Sequence, residues 1–130
     1  MADGDQTISI TSSTLAKIAP RHKDDVWEIV LTGSFDDDDV SAATTTFPLN
    51  GMLRKIVVEL PATTTTGTTS QVLIKDNGSN TIFDSTEKAE GSTYTFDVEE
   101  PLSGNITVSI EPSDVAGAGG CAPVITLRGI

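Results

Sequence analysis

Catalytic side chains are scarce in this 130-residue chain, which holds one His (His22), one Cys (Cys121), one Trp (Trp27) and one Tyr (Tyr94). A lone cysteine excludes an internal disulfide, so no oxidising compartment is implied. Its setting, GAGGCAPV, offers no base to lower the thiol pKa and reads as a small buried or half-buried position. One His and one Cys cannot complete a closed zinc site within a single chain. His22 lies between Arg21 and Lys23, where an imidazole is a poor general base, so the residues predict no enzyme and no cofactor. No apolar run approaches the ~18 residues that a membrane helix needs. The N-terminal MADGDQTISI lacks the basic-then-apolar pattern of a secretory signal, and the expectation is synthesis in the cytoplasm. Positive charge is also short: 8 Lys and Arg face 19 Asp and Glu, a formal net charge of -11. That balance argues against a nucleic-acid surface and against an anionic membrane surface.

What the chain does have is threonine, nineteen residues of it, in short β-branched runs punctuated by Gly, Pro, Asn and Ser. Such runs favour pleated sheet. From residue 26 onward they predict about eight strands at roughly ten-residue spacing, with no amphipathic helix. The fold class expected is therefore all-β: one antiparallel sandwich or jelly roll over residues 26–130. Residues 1–25 stand apart as an N-terminal arm, extended over 7–10 and irregular beyond, where Pro20 biases Ala19 away from helix. Period-2 alternation predicts a core of Trp27, Ile29, Leu31, Phe47, Ile56, Val58, Val72, Ile74, Phe96, Val108, Ile110 and Ile125 between two sheets. Pro48 marks its strand as an edge or a bulge. Residues 62–70 read as an exposed Thr/Gly loop. Asn77-Gly78 is a strong hairpin signal, and predicts a two-residue turn with positive φ at both positions.

Three clusters are candidates for binding. The first is Lys17, Arg21, His22 and Lys23, the only cationic concentration, which suits an acidic partner. The second is the run Asp36, Asp37, Asp38 and Asp39, which could offer oxygens to a cation with Asp3 and Asp5. Adjacent side chains of an extended run point to opposite sides, so a solvated acidic loop is the plainer reading. The third is the Thr tracts, which suit sugar hydroxyls or edge strands in an assembly, or are simply polar outer faces and loops; the shortage of aromatic rings weighs against a sugar platform.

One passage stands out as a unit: residues 27–35 (WEIVLTGSF), then 46–58 (TFPLNGMLRKIVV), then 72–76 (VLIKD) before an Asn-Gly turn, and a final 124–127 (VITL). This order, with its F-x-L-N-G-x-L-x-x-I core, resembles small virion structural proteins of tailed bacteriophages, of the head-decoration or capsid-cement type. The resemblance spans roughly residues 27–128. It implies a non-enzymatic virion protein that binds a major capsid protein or another virion component, as a homo-oligomer and most simply a trimer. It transfers no catalytic or ligand residue, and residues 1–25 lie outside it. A tail or cell-surface β-sandwich that recognises a glycan or receptor remains the alternative.

Overall fold

The computed structural model describes residues 7–15, 27–34, 42–63, 68–113 and 121–130. Ten strands run in chain order: β1 (Thr7–Leu15), β2 (Trp27–Ser34), β3 (Ala43–Pro48), β4 (Gly51–Leu60), β5 (Thr69–Lys75), β6 (Thr81–Asp84), β7 (Lys88–Ala89), β8 (Ser92–Leu102), β9 (Asn105–Pro112) and β10 (Val124–Gly129). There is no helix among the described residues. Two antiparallel sheets form a sandwich. The first has the order β1-β2-β10-β4-β8 and the second β3-β9-β5-β6, with β7 against β5. The all-β sandwich expected from alternation is the fold. The eight expected strands are joined by β1 and by the two-residue β7.

The chain passes repeatedly from one sheet to the other, so each hydrophobic layer is assembled from residues distant in sequence. Two of these crossings brace each other. Gly104, at the β8–β9 corner, donates its N–H to Asn50 Oδ1 at 3.0 Å and accepts from Leu49 N at 3.0 Å at the β3–β4 corner. Both corners need a glycine, since φ is +128° at Gly51 and +103° at Gly104, a region that L side chains avoid.

Eleven of the twelve predicted core residues are buried; Phe96 is the exception and is only half-buried. It lies on β8, an edge strand among the described residues, so no strand of theirs covers one of its flanks. Leu53 and Leu102 are buried without having been predicted. A bulge explains Leu53: it pairs with Gly129 while Lys55 pairs with Arg128, so Arg54 is an extra residue and Leu53 and Ile56 point the same way. A strict period of two cannot show that. Burying side chains of this size stabilises by about 1.5–3 kcal/mol each relative to exposure.

Pro48 does mark an edge, because β3 is the outermost strand of the second sheet. β1 continues past residue 10 to Leu15, across a shift in register between Ile10 and Ser12, and pairs with β2 from Thr7↔Ser34 to Leu15↔Trp27. At the other end of the supposed loop over 62–70, Thr68 and Ser70 are buried, and Ser70 pairs with both Lys88 and Pro112.

The Asn77-Gly78 hairpin forms, but with a different turn from the one expected. Positive φ falls on Ser79 (+66°), and on neither Asn77 nor Gly78. Ser79 N donates to Asp76 O at 3.0 Å and Asp76 N to Asn80 O at 2.9 Å. This is the three-residue hairpin loop, in which a left-handed residue follows the turn. Asp76 selects it: its Oδ1 accepts from Gly78 N and from Asn80 N, both at 2.9 Å.

Candidate functional site

The outward face of the first sheet is a regular grid across β2, β10, β4 and β8. Cross-strand register sets three rows: Thr32–Val124–Glu59–Thr93, Val30–Thr126–Val57–Thr95 and Glu28–Arg128–Lys55–Asp97. The third row neutralises itself. Arg128 Nε donates to Glu28 Oε2 at 2.7 Å, and Lys55 Nζ lies 3.5 Å from Asp97 Oδ1. Such exposed pairs contribute only ~0–1 kcal/mol each to stability, but they balance the charge of the row. In the middle row Thr126 is just 7% exposed despite pointing outward, because half-buried Val30 and Val57 flank it. The result is an apolar and hydroxyl-bearing centre beside a row of paired charge, on a chain that is otherwise strongly acidic.

A second surface lies along the side of the sandwich where β8 and β6 are the two edges. Tyr94, Phe96 and Val98 of β8, with Ile82 and Phe83 of β6, pack against the core while staying partly exposed. Phe83 and Phe96 meet edge to face, with centroids 5.0 Å apart at 67°. Lys88 Nζ sits 5.8 Å from the centroids of both Tyr94 and Phe96, a cation over aromatic rings. Tyr94 donates its hydroxyl to Ala89 O at 2.9 Å, which ties β8 to β7.

Several other polar groups have structural partners. The Asp76 carboxyl is held below the ordinary carboxylate range, chiefly by the Asn80 backbone N–H. Asp84 is lowered by the Gln71 side-chain amide and then by Thr86 N. Thr63 donates through both N and Oγ1 to Glu90 Oε2. Burial pushes the half-buried Cys121 thiol upward, and the Glu90 charge adds to this, so the thiolate is disfavoured. No group of three or more His, Cys, Asp or Glu is placed to hold a metal among the described residues. No helix among them is long and apolar enough to cross a membrane.

Lys17, Arg21, His22 and Lys23 lie outside the described residues, as do Asp36, Asp37, Asp38, Asp39, Asp3 and Asp5. The surfaces found instead were legible only in fragments. The alternation of Val57 with Lys55 and Glu59 was visible, but its alignment with Val30 and Thr126 depends on β10 lying between β2 and β4. The marks of an edge were present in β8, where acids and Pro101 cluster at one end of the strand.

No family model and no curated protein matches this chain. Several solved structures share its outline. Over 98% of the chain it is similar to the arabinose-bound α-L-arabinofuranosidase MgGH51 (TM-score 0.47, 10% identity), of which it spans only 22%. Over 95% it is similar to TmCBM61, solved in complex with β-1,4-galactotriose (TM-score 0.42, 10% identity, 83% of that chain). Over 95% it is also similar to a chain of infectious bursal disease virus, Gt strain (TM-score 0.40, 10% identity, 32% of that chain). At these identities the likeness is one of β-sandwich architecture.

Proposed function

We propose that this chain is a non-enzymatic structural protein of a virion, which binds a capsid shell and stabilises it as a decoration protein. The observation that carries this reading is the grid on the first sheet: apolar at Val30 and Val57 around Thr126, and bordered by the Glu28–Arg128 and Lys55–Asp97 pairs. A centre poor in net charge with a polar border is the arrangement of a protein–protein contact. Lys17, Arg21, His22 and Lys23 add a cationic contact to an acidic neighbour, and the working state is a homo-oligomer, most simply a trimer. Val57→Lys tests the face, since Val57 points away from the core. The variant should keep its sheet spectrum and thermal midpoint while losing occupancy on shells assembled from the source virion's major capsid protein. Full occupancy would remove the grid as the contact.

Half-exposed Tyr94 and Phe96 beneath Lys88 favour a second reading, a module that recognises a glycan on a tail or cell surface. Calorimetric binding of soluble β-linked oligosaccharides, lost on Tyr94→Ala, would support it over the first.

A further inference from the structure

We infer that the free edge of β8 accepts, as an added strand, residues 16–24 of a second copy of this chain; the inference rests on the assembly reading above. β8 is the longest strand, with 11 residues, and no strand lies beyond it among the described residues. Its free backbone groups can be placed from the ladder. Gly33 N donates to Pro123 O, so the odd residues of β2 face β10. Register then makes Val124, Thr126 and Arg128 face β4, and Ile56, Val58 and Leu60 face β8, consistent with Leu60 O accepting from Gly91 N. Tyr94 and Phe96 complete those bonds. The N–H and C=O groups of Thr93, Thr95 and Asp97 point outward, a row that can template a strand.

Charge selects what can be added. β8 carries Asp97, Glu99 and Glu100 and no basic residue, so a second β8 placed beside it is repelled. The complementary segment is the cationic concentration of this same chain, Lys17, Arg21, His22 and Lys23. In an extended conformation the period of two puts Lys17, Arg21 and Lys23 on one face and Ile18, Pro20 and His22 on the other. β8 presents the matching division: Thr93, Thr95 and Asp97 on the outer face, and half-exposed Tyr94, Phe96 and Val98 toward the other sheet. Pro20 lacks an N–H, which an edge strand tolerates, and it biases Ala19 toward extended backbone.

The donor has to be another copy. Leu15 and Trp27 are paired neighbours on β1 and β2, so residues 16–26 must leave and return to the same place. β8 lies four strands from β1 and three from β2, about 19 Å and 14 Å at the usual spacing. The added strand lies one spacing beyond β8, so the journey needs about 43 Å, more than the roughly 40 Å that the connection can span, and leaves no residue to lie along the edge. Donor and acceptor surfaces differ, so the contact is head-to-tail and closes into a ring, a trimer in the assembly reading above.

Sedimentation velocity on the intact protein, with hydrogen exchange at β8, tests this. The unaltered chain should sediment as an oligomer at low salt, with the Thr93, Thr95 and Asp97 amides protected at least about tenfold over a monomeric variant. Lys17→Glu/Arg21→Glu/Lys23→Glu should be monomeric, and so should Thr95→Lys/Glu99→Lys. A chain carrying all five substitutions should assemble again, because both halves of the contact are reversed. An oligomer that persists in Thr95→Lys/Glu99→Lys, or an unaltered chain that is monomeric at every concentration, overturns the inference. Shell occupancy is scored separately through Val57→Lys, so loss of decoration with intact β8-dependent assembly would refute only the functional reading.

Discussion

Ser79 carries the least favourable backbone in the hairpin, a non-glycine residue at φ +66°. Ser79→Gly should therefore raise stability, by about 0.5–1 kcal/mol, as relief of left-handed strain exceeds the added freedom of the unfolded chain. Gly78→Ala should be close to neutral, because Gly78 has no positive φ and an added Cβ would meet the far end of the Asn80 side chain at 3.1 Å. Urea melts of the two variants check the assignment, and the opposite ranking would return positive φ to Gly78. Asp76 and Asp84 set a pH dependence of known sign. Their folded pKa values are depressed, so they add stability above the unfolded carboxylate pKa and lose it as pH falls through the folded values. The melting temperature should drop below about pH 4, and Asp76→Asn should flatten part of that drop. None of this was readable from Asn-Gly alone. The dipeptide announces a turn, and the Asp76 carboxylate that accepts from Gly78 N and Asn80 N decides which turn.

At the level of the strand, alternation was a reliable guide along the regular stretches of strands that have neighbours on both sides. β4, β5, β9 and β10 bury Ile56, Val58, Val72, Ile74, Val108, Ile110 and Ile125 as their spacing predicted. It failed at the bulge that turns Leu53 inward, and at β8, where position in the sheet outweighs pattern. Truncations rank the two cases. Leu53→Ala, at full burial, should cost about 2–5 kcal/mol. Phe96→Ala should cost less than half as much as Leu53→Ala, since the ring already meets solvent and loses mainly its contact with Phe83. Chemical denaturation of both variants decides this, and equal losses would place Phe96 in the core.

For the molecule as a whole, the pairing of β1 with β2 changes what truncation means. Removing residues 1–24 deletes a strand of the first sheet and leaves the flank of β2 unpaired. The shortened chain should self-associate irregularly, as exposed sheet edges do, and light scattering should report polydisperse material. A monodisperse, folded product would show that β1 is dispensable. Charge substitutions at Lys17, Arg21 and Lys23 probe the same segment while keeping β1.

The sequence by itself determined the class of the protein: local β propensity, the period of two and punctuation by Gly and Pro are properties of neighbouring residues, and they sufficed for an all-β sandwich with most of its core. It also showed how little catalytic chemistry the chain contains. Only the tertiary structure decided which of the described strands are edges, which side chains share the outer grid, and that Tyr94 and Phe96 lie on an edge strand. Those features depend on strand order, and here seven of the ten strands are bonded to a partner far away in the chain; β10, the last, lies between β2 and β4. Local pattern carries no information about such pairings, because the energy that selects them arises when the two sheets close on one another.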